Sequence, residues 1–273
     1  MSKTPKEIAE RVCESGSTKT ELHPLKTLVL AILAGAYIGF AGHIATVVSQ
    51  DSRVFIGGGL TSVISGLVFS LGLVLVVLGG AELFTGNSLM TIPCLRGTLK
   101  TSALLRNWVI VYIGNFIGSL LLVALIFLGG FYLTNNAALG AREIQIANDK
   151  VNLGFTEALF RGILCNWLVC LAVWLAFSAN DAMGKILGIV FPITAFVASG
   201  FEHSVANMFL IPIGILVKDV PAVATTIKFS TANLNWGGFL QNLIPVTIGN
   251  IIGGAVFVGG FYWYVYVSGT NEK

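Results

Sequence analysis

The most constraining feature of the sequence is a series of six long apolar runs. A helix needs about 20 apolar residues to cross a hydrocarbon layer roughly 30 Å thick, since each residue adds about 1.5 Å. With 55% hydrophobic and only 11% charged residues, the chain also has too little polar surface for a soluble globule. We therefore predict an all-α membrane protein with six transmembrane helices, in the runs Leu25–Val48, Val54–Pro93, Trp108–Leu133, Phe155–Phe177, Ile186–Val217 and Phe239–Val267.

Basic residues near the apolar runs predict the orientation of the chain. Short cytoplasmic loops are enriched in lysine and arginine. Such residues precede the first run and separate the second from the third, so we expect both termini to be cytoplasmic: Lys3, Lys6, Arg11, Lys19, Lys26, Arg96, Lys100 and Arg106. The polar start has no apolar core of a signal peptide. We predict an amphipathic N-terminal segment at 1–24, a channel domain at 25–268 and a cytoplasmic tail at 269–273.

The second and fifth runs are too long for one plain helix, and each has a polar interruption. The first interruption reads GGAELFTGNS at 79–88, and the other reads SGFEHSVAN at 199–207. Broken helices inside a membrane are tolerated where the freed backbone groups line a cavity or are buried in protein. Each of the two runs is therefore predicted to form two half-helices that meet at mid-membrane.

The two halves of the chain resemble each other. YIGNFIGS at 112–119 in the third run matches TIGNIIGG at 247–254 in the sixth. Runs one to three and four to six thus look like copies of one unit. Three crossings are an odd number, so the second copy must be inverted relative to the first. Inverted repeats with paired broken helices are typical of transport proteins with a site at the midplane.

The interruptions contain the two acidic residues that lie deep within apolar runs. Glu82 occurs in one and Glu202 in the other, while the remaining acidic residues fall in loops or termini. We expect each carboxylate to support its break by accepting hydrogen bonds from freed backbone amides. His203 differs because it occurs at only one break, where an imidazole can donate a hydrogen bond or exchange a proton.

The other histidines and the cysteines are expected to be structural. His23 precedes the first run as an interfacial residue, and His43 is interpreted as a satisfied packing histidine. The four cysteines have no metal-ligand spacing and are expected to be free packing thiols: Cys13, Cys94, Cys165 and Cys170. We predict no metal site and no cofactor.

Four motifs in order closely resemble the formate/nitrite transporter family. They are ELFTGNS at 82–88, LCNWLVCLAVW at 164–174, FVASGFEHSVANM at 196–208 and LIPVTIGNIIGG at 243–254. The resemblance covers the chain from about His23 to Val267. It implies a homopentamer of aquaporin-like protomers in the inner membrane of a bacterial or archaeal cell. Each protomer would have its own pore for formate, nitrite, hydrosulfide or related weak-acid anions.

The resemblance also implies roles for individual residues. His203 matches the central pore histidine, and Thr85 matches the threonine that bonds to it or to the permeant. Asn166 and Asn250 match pore-facing polar positions, and Lys150 matches a lysine that draws anions into the vestibule. Glu82 and Glu202 remain structural supports. Apolar constrictions on either side of the histidine are matched by Phe69, Leu73, Leu83, Phe84 and Phe196.

These assignments suggest a mechanism. A bare anion would lose much hydration energy between two apolar rings, whereas a neutral weak acid would cross at much lower cost. We hypothesise that His203 or its hydrogen-bond network supplies a proton or a strong donor. Flux should then rise at acidic pH.

Two other function classes stay open at this stage. A neutral-solute channel of the water or ammonia type is disfavoured, because the breaks have no Asn-Pro-Ala pair and only one histidine. A membrane-embedded enzyme or cofactor protein would need several convergent ligands. We predict that the chain is not an enzyme and that its partners are small anions, lipid and copies of itself, not nucleic acid.

Overall fold

The computed structural model describes residues 3–269, so Met1, Ser2 and positions 270–273 of the expected tail lie outside it. The described residues form helices joined by loops and breaks and contain no strand, which confirms the all-α prediction. Helices α1 to α12 are Pro5–Glu21, Pro24–Ser49, Ser52–Gly79, Thr91–Leu95, Thr101–Leu128, Ala138–Val151, Phe155–Ser178, Ala182–Ala198, Ser204–Val217, Pro221–Ala224, Trp236–Ile251 and Phe261–Tyr266. Gly86–Met90 and Phe131–Leu133 are 3-10 helices, and a π-helix at Ile252–Gly260 joins α11 to α12.

Five helical segments of the described chain are long and apolar enough to cross a membrane. They are α2, α3, α5, α7 and the continuous segment Trp236–Tyr266. The fifth predicted run does not appear among them, because it forms the two shorter apolar helices α8 and α9. The broken helix predicted there is therefore present as two separate pieces.

Each interruption contains a non-helical stretch, at 80–85 and 199–203, and each stretch turns at a glycine. After α3, the chain leaves the helix at Gly80, whose φ of 73° is in the left-handed region. After α8, Gly200 has a φ of 71°. A side chain is strained at such angles, so glycine is the residue that suits both turns.

Matched glycines bring the third and sixth spans against the first and fourth. A Cβ added to Gly118 of α5 would lie 1.9 Å from the Ile32 carbonyl oxygen of α2. Gly253, its counterpart in the second motif, would place a Cβ 2.1 Å from the Ile163 carbonyl oxygen of α7. Helices can approach this closely only where a side chain is missing. The repeated motif thus has the same packing role in both halves.

The two ends of the described chain meet at one end of the bundle. Helix α1 begins with a capping box at Thr4 and buries its apolar face, which includes Ile8 and Val12, in one cluster with Trp174 and Val258. Arg11 donates from Nη1 to the Phe177 carbonyl oxygen at 3.3 Å. The amphipathic N-terminal helix is therefore packed against the spans. The predicted domain boundaries stay a prediction.

His43 differs from its sequence-based interpretation. Its ring packs edge-on to Phe131, with centroids 5.7 Å apart, as expected of a packing histidine. However, its Nδ1 is buried and has no hydrogen-bond partner. Its Nδ1 lies 4.0 Å from Glu143 Oε1 of α6. The expectation of a satisfied side chain was wrong, because it took no account of a carboxylate 100 positions away in the sequence. The four cysteines are free thiols, as predicted.

Candidate permeation site

The carboxylate of the first break is held by a lysine of α1 and an asparagine of the same break. Glu82 Oε1 accepts a hydrogen bond from Lys19 Nζ of α1 at 2.9 Å. Its Oε2 accepts from Asn87 Nδ2 at 2.7 Å, and the same amide group donates to Asn107 Oδ1 at 2.8 Å. Lys19 also donates to Asn87 Oδ1 at 2.8 Å. These bonds compensate the buried charge and fix its position.

The second break repeats this arrangement. Glu202 Oε1 accepts from Lys150 Nζ of α6 at 2.8 Å. Its Oε2 accepts from Asn207 Nδ2 at 2.7 Å, and Asn207 Nδ2 also donates to Asn242 Oδ1 at 2.7 Å. A glutamate, an asparagine five positions later, a lysine and a second asparagine thus come together at both breaks. The networks differ in detail, because Lys19 also donates to its asparagine, whereas Asn207 Oδ1 has no partner among the described residues. This match supports the inverted repeat inferred from sequence.

The freed backbone groups of the breaks are bonded by asparagines instead of by the two glutamates. Asn115 Nδ2 donates to the Glu82 carbonyl oxygen at 2.9 Å, and its Oδ1 accepts from Phe84 N at 2.9 Å. Asn250 does the same with the Glu202 carbonyl oxygen and Ser204 N, at 2.9 and 2.8 Å. The expectation that Glu82 and Glu202 accept from backbone amides was therefore wrong in detail, because their carboxylates point to lysine and asparagine side chains.

The histidine of the second break meets the threonine of the first. His203 Nε2 lies 3.0 Å from Thr85 Oγ1, although the two residues are 118 positions apart. His203 is also the N-cap of α9, where its Nδ1 accepts from Ala206 N at 3.0 Å. An Nδ1 that accepts is unprotonated, so in the neutral ring the proton is on Nε2. His203 therefore points an N–H group at the Thr85 hydroxyl.

Asn166 connects the first break to the sixth span. Its Nδ2 donates to the Asn250 carbonyl oxygen at 2.6 Å and to the Thr85 carbonyl oxygen and Ser88 Oγ, both at 3.2 Å. Asn166 and Asn250 are completely buried. Both side chains therefore fix the backbone around Thr85 and His203, and their predicted exposure to a pore stays a prediction.

Two cavities approach this pair of residues from opposite ends. The α6-side cavity, of about 390 Å³, is lined by Phe69, Phe196 and His203 at one end and by Lys150 and Glu202 nearby. The α1-side cavity, of about 130 Å³, is lined by Leu73, Leu83, Asn87 and Lys19. The two cavities share no lining residue. They are therefore two separate cavities of the described chain.

The candidate constriction residues divide between the cavities. Phe69 and Phe196 pack edge to face with centroids 5.7 Å apart, and the Phe196 ring stacks on His203 at 6.0 Å. Leu73 and Leu83 are on the other side of the pair, at the α1-side cavity. Phe84 differs from these four because it packs against Tyr112 at 4.8 Å and lines neither cavity.

Sequence reasoning missed several members of the site. Lys19 was assigned only to the topology, and Asn107 and Asn242 were not noticed. A signal for part of this network was available, since glutamate and asparagine recur five positions apart at both breaks. The lysines had no such signal, because Lys19 and Lys150 are 63 and 52 positions from their carboxylates.

Comparison with known proteins gives consistent matches. The family model described as formate/nitrite transporter matches residues 6–264. The formate channel FocA of Escherichia coli strain K12 is 42% identical over 96% of this chain and 94% of its own length. A probable formate transporter of Methanothermobacter thermautotrophicus is also 42% identical, over 97% of both chains. A solved structure described as a pentameric formate channel with formate bound is 40% identical and covers 89% of this chain and 97% of its own, with a TM-score of 0.81.

These matches extend over nearly the whole length of the chain, and the sequence motifs, the apolar helices and the fold agree with them. The chain is a multi-pass membrane protein and belongs to the formate/nitrite transporter family.

Proposed function

We propose that the protein is a membrane channel or transporter for small monovalent weak-acid anions, with formate as the first candidate. Its relatives are described as formate channels or transporters. Nitrite and hydrosulfide belong to the same chemical class and are included in the proposal. We further propose a homopentamer, as described for the solved relative, in the inner membrane of a bacterial or archaeal cell with both termini cytoplasmic. The segments 1–24 and 269–273 would lie outside the channel domain.

The observation that supports this function best is the His203–Thr85 pair, whose histidine lines the α6-side cavity. The pair is buried beside Phe69 and Phe196 and opposite the α1-side leucines. An anion that leaves water here needs a hydrogen-bond donor, because an uncompensated charge in an apolar site costs many kcal/mol. His203 Nε2–H and the Thr85 hydroxyl are the donors at this point.

The hydrogen bonds of His203 favour one form of the mechanism. Protonating Nδ1 would break its bond to Ala206 N and bring two N–H groups together. The histidine therefore acts in our proposal as a neutral donor through Nε2 and Thr85, and the proton that neutralises the permeant comes from water in the cavity. Lys150 attracts the anion from the α6 side. Water is excluded from the constriction between the two cavities by Phe69, Phe196, Leu73 and Leu83.

The proposal is tested by flux into proteoliposomes. Formate, nitrite and hydrosulfide are compared at pH 7 and pH 5, with protein-free liposomes to subtract diffusion through lipid. His203→Asn removes the imidazole while keeping a residue that caps α9 well. His23→Asn is the matched control, since it makes the same change at the N-cap of α2.

We expect flux to rise at pH 5 in the unsubstituted protein and in the control, and to fall in His203→Asn by at least about tenfold, the loss of one hydrogen bond to a charged group. A folded His203→Asn protein with unchanged, pH-dependent flux would contradict the role of the histidine. Equal flux of water or ammonia would favour the neutral-solute alternative.

A further inference from the structure

Two arginines lie at the end of the α6-side cavity opposite the apolar constriction. Arg53 is in the first turn of α3 and Arg142 is in the first half of α6. Both line the same cavity as His203, together with the hydroxyl side chains of Ser49 and Ser65. An anion in this cavity could therefore meet the arginines before it reaches the histidine.

The positive charge of the pair is not neutralised. Arg142 Nε donates to Ser49 Oγ at 3.1 Å and its Nη1 donates to Gln145 Oε1 at 2.9 Å, and neither acceptor is charged. Within residues 3–269, no carboxylate lies within 4.0 Å of either guanidinium. The carboxylate of Glu202, which lines the same cavity, already pairs with Lys150.

The two arginines also repel each other electrostatically. Burial and the nearby charge of Arg53 lower the pKa of Arg142 to about 10. Asp149 is close enough to interact with both arginines but is too far to form an ion pair with either. A bound anion would relieve the repulsion between the two guanidinium groups.

The free donors that line this cavity suit a planar oxyanion. The Nη2 group of Arg142 and the guanidinium of Arg53 have no hydrogen-bond partner among the described residues. Ser65 Oγ, in the same cavity wall, is buried and also has none. A guanidinium has a rigid planar fork that matches two oxygens on one atom, whereas a lysine ammonium acts as a point charge.

We propose that Arg53 and Arg142 form an entry site that selects small planar oxyanions, the class of carboxylates and nitrite, over single-atom anions such as chloride and over hydrosulfide. The choice of ligand class rests on the proposed transport function. The site gives the arginines a role in specificity that is separate from the donor role of His203. Oxyanions would then be recognised in the α6-side cavity as well as at the constriction between the two cavities.

Binding is measured on the full-length protein in detergent, by saturation transfer to the single proton of formate. Nitrite, chloride and hydrosulfide are added as competitors. Arg53→Gln and Arg142→Gln remove one charge each, and Arg142→Lys keeps the charge but removes the fork. Lys228→Gln removes one exposed charge from the loop that precedes α11 and serves as the control.

We expect Arg142→Lys, Arg142→Gln and Arg53→Gln to raise the formate concentration at half-saturation by about fivefold or more, the range of a charge-assisted hydrogen bond at a partly exposed site. The control should bind like the unsubstituted protein. Nitrite should compete with formate at much lower concentration than chloride or hydrosulfide.

Three results would overturn the site: no saturable formate binding, unchanged half-saturation in Arg53→Gln and Arg142→Lys, or equal competition by all anions. Binding does not require conduction, so this failure is distinct from failure of the transport function. If formate permeates but its concentration at half-saturation is unchanged in the arginine variants, only the proposed entry site is wrong. If the arginines bind formate and liposome flux is absent, only the transport function is wrong.

Discussion

Replacing Glu143 by glutamine should remove a pH-dependent loss of stability from this protein. The side chain belongs to α6 and is buried, with 3% of the residue exposed. Neither of its carboxylate oxygens has a hydrogen-bond partner within residues 3–269. Burial without such partners favours the neutral acid and raises the pKa of Glu143 to about 8.

The size of the effect follows from this pKa. In the unfolded chain the same carboxyl has its ordinary pKa of 4.5. The unfolded state therefore loses its proton first, and the folded state becomes less favourable as the pH rises from 4.5 toward 8. One pH unit corresponds to about 1.4 kcal/mol, so the free energy of unfolding should fall by roughly 3 kcal/mol between pH 5.5 and pH 8. Above pH 8 both states are ionised and the loss levels off.

The assay is thermal unfolding of the detergent-solubilised protein, followed by tryptophan fluorescence at pH 5.5 and pH 9. Glu143→Gln keeps the shape of the neutral acid and cannot ionise. We expect its melting temperature to match that of the unsubstituted protein at pH 5.5 and to exceed it by several degrees at pH 9. Glu10→Gln, at an exposed position of α1, should change neither value. An advantage of Glu143→Gln that is the same at both pH values would refute the argument.

Three further predictions concern packing and burial. Gly118→Ala should sharply reduce the yield of folded protein in size-exclusion chromatography, because the added Cβ would lie 1.9 Å from the Ile32 carbonyl oxygen. Gly58→Ala, whose added Cβ has no atom within 4 Å, should leave the yield unchanged. Asn250→Ala should lower the melting temperature by an amount equivalent to about 3 kcal/mol. The substitution leaves Ser204 N and the Glu202 carbonyl oxygen unpaired. The control Asn148→Ala should have little effect. Under native conditions a bulky polar maleimide should label Cys94, which is partly exposed, and not the buried Cys13, Cys165 and Cys170. The labelled peptides are identified by mass spectrometry. Labelling of the three buried cysteines and not of Cys94 would contradict their burial.

The helical class, the apolar spans and the positions of both breaks could be predicted from the amino-acid sequence. These properties are local, since a run of apolar residues must satisfy its backbone as helix, and a polar, glycine-containing interruption within it cannot continue as a membrane helix without a partner. The repeated GN-containing motif also predicted the two-fold arrangement, because equal motifs have equal packing roles. Resemblance to a family added roles for individual residues that spacing alone did not supply.

Contacts between residues far apart in the sequence could not be predicted from spacing and depend on how the helices pack. Thr85 meets His203, Lys19 pairs with Glu82, and His43 faces Glu143. Glu82, Thr85 and His203 lie in the two non-helical breaks, and every partner is more than 60 positions away in the sequence, so each contact depends on how the packed helices place the breaks. The protonated nitrogen of His203 is likewise fixed by its position as the N-cap of α9. A sequence shows that a residue can donate, accept or ionise; the packing of the helices decides what it has to bind.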